Sequence, residues 1–296
     1  MKGATARVIG GPVLVALTLL AVAASSAVAD MPGKKSFDSN GVEIKYIVVG
    51  KGTPVLLIHG FAASALTNWA AIIPRLARNH QVLAIDNRGH GGSGRPVGEE
   101  YYGDEMINDS IRLLDHLGIE KAHVVGYSMG GYITAKMAAM YPGRMLSATI
   151  AGAGWAKEKS IRERTLDDLA QAIDRDRSVA PLLNKLSPNG EARPEIEIKI
   201  LSFLIMFSND PRVLASVARG MKHHTLTKED ILAIDVPTQL VVGSEDPIKR
   251  AADAWMTIRP DHRYVVIDGA NHMTAITRHE FLDAIEEFIT AVEKRR

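Results

Sequence analysis

The sequence contains no cysteine and almost no excess charge, and both absences limit what the protein can do. Without cysteine the chain has no disulfides, no thiol nucleophile, no thiolate metal site and no lipid-modified cysteine. The 35 basic and 34 acidic residues give a net charge of +1, which offers no electrostatic reason to expect a nucleic-acid partner. No spacing typical of metal ligands is present. The pair His223-His224 alone supplies too few ligands for a metal site, and we expect these two side chains to be solvated. We therefore expect no metal site.

The first 29 residues have the layout of a secretory signal peptide. Lys2 and Arg7 precede an apolar run from about Val13 to Ala24, and the segment ends in the A-x-A site 27–29. This pattern predicts export to the periplasm or the medium, with cleavage after Ala29. The alternative is an uncleaved membrane anchor, because residues 8–29 carry no charge and are almost long enough to span a bilayer.

Short apolar segments alternate with amphipathic ones through most of the remaining chain. The apolar segments are nearly continuous in Val, Ile and Leu, which is typical of strands buried on both faces. They occupy residues 44–50, 54–60, 81–86, 122–128, 146–152, 237–243 and 263–268. The alternation predicts an α/β domain with a mostly parallel sheet and helices on both faces.

This alternation breaks between about Gly154 and Asp230. A highly charged stretch there is followed by the apolar "IEIKILSFLIMF", and the whole segment is typical of three or four helices without strands. We predict an inserted helical cap at 154–230, which divides the α/β core into 30–153 and 231–296. At least half of the run 200–207 is expected to pack onto the sheet, and the alternative is that it lines a pocket for an acyl chain.

A candidate nucleophile lies in "VVGYSMGGYI", where Ser128 is flanked by Gly126 and Gly130. A strand-like segment precedes it and a helix-like segment follows it. A serine at such a sharp turn projects its hydroxyl above the sheet edge, and glycines are needed where a Cβ would collide with the adjacent strand and helix. Ser128 is therefore predicted to be a nucleophile, whereas the alternative is a purely structural turn.

A serine hydroxyl needs a general base, and His272 is the best placed of the ten histidines. It follows the last strand segment, at the sheet edge where the Ser128 turn is expected. Other histidines beside strand or helix ends are expected to be solvated: His80, His116, His123 and His262. His279 is expected on a helix surface.

The base in turn needs an acid that orients its ring, and Asp246 is predicted to supply it. Asp246 follows the strand segment 237–243, again at the carboxyl edge of the sheet. Glu245 is the immediate rival. Asp235 and Asp268 are expected to lie before or within their strands.

Two backbone N–H groups are predicted to bind the oxyanion. One belongs to Met129, directly after the nucleophile, and the other to Phe61 in "HGF". His59 is expected to order that loop rather than to act in catalysis.

The segment "DNRGHGGSG" contains the dinucleotide-like spacing Gly89, Gly91 and Gly94. A nucleotide site would require these glycines to open a helix directly, but Arg95-Pro96 follows at once. A glycine-rich connection that passes near the site is the favoured interpretation.

Taken together, these motifs resemble the α/β-hydrolase superfamily over about residues 40–293. The resemblance is carried by "HGF", "DNRGHGGS", "GYSMGG", "VVGSEDPI" and "GANHM", in this order. It implies an eight-stranded mostly parallel sheet, a helical cap, no cofactor and a triad of Ser128, Asp246 and His272. It also implies Phe61 and Met129 as oxyanion donors. The sequence is most similar to small esterases, carbon–carbon bond hydrolases and perhydrolases, and it lacks the "HGGG" run of another esterase branch.

The function expected from this resemblance is that of a cofactor-independent serine hydrolase. Its partner would be a small ester or thioester, which is cleaved through an acyl-enzyme on Ser128. The same triad could instead cleave a carbon–carbon bond or form a peracid. A capped pocket that binds a ligand without turnover is the alternative from another functional class.

Overall fold

The computed structural model describes residues 33–157, 159–188 and 193–295. The predicted signal peptide lies outside the described residues. Eight strands form one sheet in the order β1-β2-β4-β3-β5-β6-β7-β8. Their bounds are β1 Lys35–Ser39, β2 Val42–Val49, β3 Thr53–Ile58, β4 His80–Ile85, β5 Ala122–Tyr127, β6 Met145–Ala151, β7 Thr238–Gly243 and β8 Arg263–Ile267.

The sheet is mostly parallel, as the sequence predicts. Strand β2 pairs antiparallel with β1 and β4, and the pairs from β4 through β8 are parallel. Every residue of β5, β6 and β7 is buried, which explains their continuous apolar sequence. Strand β1 is absent from the sequence-based prediction. Its signal is the dipeptide Asn40-Gly41, whose positive φ values of 56° and 80° close a tight hairpin onto β2.

Helices cover both faces of this sheet, so the predicted α/β architecture is confirmed. The helices are α1 Ala65–Trp69, α2 Ile73–Leu76, α3 Asp104–His116, α4 Met129–Met140, α5 Lys159–Asp176, α6 Ala180–Lys185, α7 Glu195–Ser208, α8 Pro211–Gly220, α9 Lys228–Leu232, α10 Lys249–Ile258 and α11 His279–Glu293. Apolar side chains of α3, α4 and α10 share one buried cluster with the sheet, and those of α1, α2 and α11 share another. Gly118, with φ of 65°, follows the last turn of α3, where a left-handed residue commonly ends a helix.

Helices α5 to α9 lie between β6 and β7, and no described residue between these strands is in a strand. Four of these helices, α5 to α8, lie within 154–230, where the sequence predicts three or four, and α9 crosses the end of that segment. The insertion has its own apolar cluster, which includes Leu169, Ile173 and Leu214. Phe61 packs against both this cluster and the core, so the cap covers the loop that carries Phe61.

The apolar helix α7 packs within the cap, not on the sheet as the sequence predicts. Leu201, Ile205 and Met206 contact the cap cluster. The other side of α7 exposes Phe203 and Phe207, which are 67% and 83% accessible. No single described helix is long and apolar enough to cross a membrane; only α7 combined with residues 211–224 passes by length and composition, with a 99° bend between the two parts.

The expectation that the histidines beside strand and helix ends are solvated is wrong for most of them. The buried ones are His80, His123, His224 and His262, whereas His116, His223 and His279 are exposed. Burial is tolerated because ring nitrogens find polar partners, such as Ser147 Oγ at 2.7 Å from Nδ1 of His123. Some partners are distant in the chain, such as the Gly103 carbonyl for His224, and the local sequence does not reveal them.

Candidate active site

Ser128 occupies a strained turn between β5 and α4. Its backbone has φ of 55° and ψ of −115°, a left-handed conformation that non-glycine residues rarely adopt. The Ser128 N–H donates to the carbonyl of Ala151 at 2.8 Å, and the Tyr132 N–H donates to the Ser128 carbonyl at 3.1 Å. These bonds hold the turn and direct the serine hydroxyl away from the sheet.

The flanking glycines are required by close backbone contacts. A Cβ on Gly126 would lie 2.0 Å from the carbonyl oxygen of Gly130, on the helix side. A Cβ on Gly130 would lie 2.0 Å from the carbonyl oxygen of Ile58, at the end of β3. Both collisions are with backbone, so neither can be relieved by moving a side chain.

A continuous chain of hydrogen bonds links Ser128, His272 and Asp246. The Nε2 atom of His272 lies 2.9 Å from Ser128 Oγ, and its Nδ1 atom lies 2.7 Å from Asp246 Oδ2. The carboxylate can only accept, so Nδ1 carries the proton and Nε2 has its lone pair toward the serine. The other carboxylate oxygen of Asp246 accepts the Ile248 N–H at 2.9 Å, which fixes its orientation.

This hydrogen-bonded chain is largely shielded from solvent. Asp246 is 3% and His272 is 4% accessible, and Ser128 is half-buried. Tyr127 donates its hydroxyl to the carbonyl oxygen of His272, and its ring centre lies 5.4 Å from the imidazole. Burial raises the pKa of Tyr127 well above its usual value, so the hydroxyl remains a donor. Tyr127 is a residue of the site that the sequence did not predict. The signal that indicates it is its position directly before Ser128.

The rival acids do not reach His272. Glu245 is exposed. Asp268 directly follows β8, contrary to the expectation that it lies before or within its strand; it is exposed, and its Oδ1 lies 3.4 Å from Ser244 Oγ. Asp235 precedes β7, as expected. Of these carboxylates, only Asp246 is buried against the imidazole.

The loop after β3 lies beside the serine. A Cβ on Gly60 would lie 3.4 Å from Ser128 Cβ, and the Gly60 N–H donates to Asn68 Oδ1 at 2.7 Å. In the described chain the Phe61 N–H donates no hydrogen bond. Met129 is the first residue of α4, so its N–H has no acceptor within the helix. Neither predicted oxyanion donor is therefore engaged by another group among the described residues.

His59 has the loop-ordering position that the sequence predicts. Its Nδ1 lies 2.8 Å from the Gly60 carbonyl oxygen, and its Nε2 accepts the Asn87 N–H at 3.0 Å. Burial lowers the pKa of His59 to about 4, so the ring is neutral at pH 7. It does not contact Ser128 or His272 by any hydrogen bond within the described residues.

Comparison with known proteins agrees with this geometry. A family model for the α/β hydrolase fold matches residues 53–188. The chain is 38% identical over 263 residues to a putative carbamate hydrolase, RutD, of Azorhizobium caulinodans, covering 85% of this chain and 97% of that protein. The chain belongs to the α/β-hydrolase family.

Two further similarities are to a heptadienoate hydrolase and to a meta-cleavage product hydrolase. The hydrolase is 32% identical over 275 residues to 2-hydroxy-6-oxo-2,4-heptadienoate hydrolase of Pseudomonas putida, covering 86% of this chain and 95% of that protein. The meta-cleavage product hydrolase CumD of Pseudomonas fluorescens superimposes with a TM-score of 0.68 at 25% identity, covering 89% and 99% of the two chains. The prediction of a hydrolase-family enzyme is confirmed at this level.

The glycine-rich segment of the hydrolase is a folded connection near the site. Asp86 accepts the N–H groups of Ala65 and Gly92, each at 2.8 Å, and forms an ion pair with Lys34. No helix opens at these glycines, since α3 begins only at Asp104. This geometry agrees with a connection and not with a nucleotide site.

The hydrolase also has a cavity away from the triad. A volume of about 640 Å³ lies at the opposite, amino-terminal edge of β6, β7 and β8, where its lining includes Met145, Thr238 and Arg263. This cavity is not the catalytic pocket, because none of Ser128, Asp246 and His272 lines it. Among residues 33–157, 159–188 and 193–295, no three His, Asp or Glu side chains converge to hold a metal ion.

Proposed function

We propose that this protein is a serine hydrolase that cleaves a carboxylic ester or thioester through an acyl-enzyme on Ser128. The observation that carries the proposal is the chain of hydrogen bonds from Asp246 through His272 to Ser128 Oγ. Two N–H groups without an acceptor among the described residues lie in adjacent segments: that of Met129 directly follows the serine, and that of Phe61 belongs to the loop beside it. This combination matches nucleophilic acyl transfer, which needs a nucleophile, a base, an orienting acid and oxyanion donors.

Each residue has one role in the proposed reaction. His272 Nε2 takes the Ser128 proton as Oγ attacks the acyl carbon, and the Phe61 and Met129 N–H groups stabilise the oxyanion. The imidazolium, held by Asp246, then protonates the leaving oxygen or sulfur. In the second half, His272 removes a proton from water, which attacks the acyl carbon and releases the acid and Ser128.

The test is hydrolysis of short p-nitrophenyl esters by the wild type and Ser128→Ala. We expect the substitution to remove all but background turnover, whereas Ser208→Ala, an exposed serine on cap helix α7, leaves turnover unchanged. A fluorophosphonate probe should label the peptide that contains Ser128. Equal hydrolysis by the wild type and Ser128→Ala would refute the proposal, and tight ligand binding without turnover on any substrate would favour a binding protein.

A second candidate is hydrolysis of a carbon–carbon bond by the same three side chains. It is favoured by the similarity to the heptadienoate hydrolase and to CumD. The discriminating assay measures the loss of absorbance of a 2-hydroxy-6-oxo-dienoate. Its rate of cleavage is compared with the rates for a panel of esters and carbamates. Faster cleavage of the dienoate than of every ester would replace the ester assignment. Peracid formation, the third use of this triad, is tested by adding hydrogen peroxide and acetate.

We also propose that the hydrolase is exported and that residues 1–29 are removed. The basic start, the apolar middle and the A-x-A end of this segment support the proposal. The test is the amino-terminal mass of the protein recovered from the periplasm or the medium. A mass that begins at Asp30 supports cleavage, whereas membrane-bound protein that retains its leader supports the anchor.

A further inference from the structure

A half-buried guanidinium that forms no ion pair with any described residue lies under the cap. Arg162, near the start of α5, has its guanidinium carbon 4.3 Å from the centre of the Tyr132 ring. One terminal nitrogen donates to the Met221 carbonyl at 2.8 Å and to Thr225 Oγ1 at 3.2 Å. The other terminal nitrogen is buried and has no hydrogen-bond partner.

The described residues supply no carboxylate to balance this charge. Glu163, the acidic neighbour that influences the Arg162 pKa, pairs instead with Lys159 at 3.5 Å. Burial lowers the pKa of Arg162, as expected for a cation with poor solvation, although an arginine stays charged at neutral pH. A buried cation is costly unless it is paired, and one aromatic face and two neutral oxygens satisfy it only in part.

The unpartnered nitrogen belongs to a residue that lines a narrow cavity between the cap and the core. Its walls include Tyr132, Trp155, Arg162 and His224. His224 is buried, and its Nδ1 also lacks a partner. A volume of about 10 Å³ admits one water-sized atom, such as a single oxygen of a larger ligand.

Two residues that line the cavity, Tyr132 and Gly154, are close along the chain to residues of the hydrogen-bonded site. Tyr132 is one turn along α4 from Ser128, a rise of about 6 Å at 1.5 Å per residue. Gly154 lines the cavity, and two residues earlier a Cβ on Gly152 would lie 3.1 Å from Cε1 of His272. A small molecule whose reacting carbon sits at Ser128 would have to extend by about one helical turn, roughly 6 Å, to bring another group to this cavity.

We propose that Arg162 binds a carboxylate of the substrate, so that the hydrolase acts on short acids that carry a second, cleavable acyl group. The inference rests on the proposed hydrolytic function of Ser128. One carboxylate oxygen would accept from the unpartnered nitrogen of Arg162 and supply the missing negative charge. Specificity for such half-esters would follow, because a neutral substrate leaves the guanidinium uncompensated.

The binding test uses Ser128→Ala, so it does not depend on turnover. Calorimetry compares methyl hydrogen glutarate with dimethyl glutarate, which differ in one negative charge. We expect only the anionic ester to bind tightly, and we expect Arg162→Gln to weaken its binding about 10- to 100-fold, as for loss of a charge-assisted hydrogen bond. Arg162→Lys should bind at an intermediate level, and Arg164→Gln, an exposed arginine on the same helix, should bind like Ser128→Ala alone.

The kinetic test compares p-nitrophenyl hemiglutarate with p-nitrophenyl valerate, after subtraction of the uncatalysed cyclisation of the hemiglutarate. Arg162→Gln should raise KM for the anionic ester and leave kcat/KM for valerate little changed. Equal binding of the anionic and neutral esters by otherwise wild-type protein would overturn the proposal and indicate that only water occupies the cavity. If Arg162→Gln does not fold, the proposal is still tested by the anionic and neutral esters with Ser128→Ala alone and by the affinity of Arg162→Lys for the anionic ester. Anion binding without turnover of any ester would instead contradict the hydrolase assignment.

Discussion

Replacing Asp246 with asparagine should disable His272 as a base while the fold stays intact. In the wild type, Asp246 Oδ2 accepts from His272 Nδ1 at 2.7 Å, and Oδ1 accepts the Ile248 N–H at 2.9 Å. In Asp246→Asn the Ile248 N–H still requires an oxygen, so the amide nitrogen turns toward Nδ1 and must donate to it. The imidazole proton then moves to Nε2, where it points at Ser128 Oγ. A ring in this tautomer cannot take the serine proton.

The expected loss in kcat is about 10⁴-fold, the size that this change of tautomer produces in a serine–histidine–aspartate triad. This corresponds to about 5 kcal/mol of transition-state stabilisation. KM should change little, because Asp246 is 3% accessible and lies behind His272. Thermal stability should also change little, because both hydrogen bonds have a counterpart in the variant.

The assay is steady-state hydrolysis of p-nitrophenyl acetate, with circular dichroism melting on the same samples. Glu245→Gln and Asp268→Asn are the matched controls, because both carboxylates are exposed and lie at the same sheet edge. Both should keep wild-type turnover. Retention of more than about a tenth of wild-type kcat in Asp246→Asn would refute the tautomer argument. An equal loss in either control would show that general charge at this edge, and not the bond to His272, matters.

Three further substitutions test the framework of the site. Gly130→Ala places a Cβ 2.0 Å from the Ile58 carbonyl oxygen and should cost at least about 1–3 kcal/mol in urea unfolding; an unchanged midpoint contradicts this steric argument. Arg88→Met removes the guanidinium whose Nε lies 2.7 Å from the fully buried Asp109 carboxylate, and it should lower the free energy of unfolding by about 3–5 kcal/mol. The loss should be smaller when Asp109→Leu is also present, and a double-mutant cycle measures this difference. Burial lowers the pKa of His59 to about 4, below the value near 6.5 of the unfolded chain, so the unfolded state takes up the proton first as the pH falls. Stability should be constant above about pH 6.5 and drop by about 2 kcal/mol from this residue at pH 5; His59→Gln should lose correspondingly less between pH 7 and pH 5 in urea unfolding.

Local patterns account for most of the sheet but not for its edge. The continuous apolar runs predict seven strands because parallel strands buried on both faces require such runs. Strand β1 was missed because "KSFDS" alternates with charge and is buried on one face only. Its pairing with β2 depends on the turn at Asn40-Gly41, a signal of two residues.

Burial of polar residues was the least predictable feature. His123 and His262 look like surface residues in the sequence, yet both are buried with partners from other segments. Likewise, the apolar run of α7 predicts burial, but Phe203 and Phe207 remain exposed. In each case the outcome depends on which distant element packs against the residue.

The sequence by itself determined the α/β class and placed Ser128, Asp246 and His272 after three different strands, β5, β7 and β8. That sufficed to bring them near one another, because parallel strands end at one edge of the sheet. Only the tertiary structure decided that Asp246, and not its neighbour Glu245, meets His272, since the choice depends on loop conformation. It alone shows Arg162 over Tyr132 with one terminal nitrogen unpartnered among the described residues, because cap packing joins segments that no sequence pattern relates.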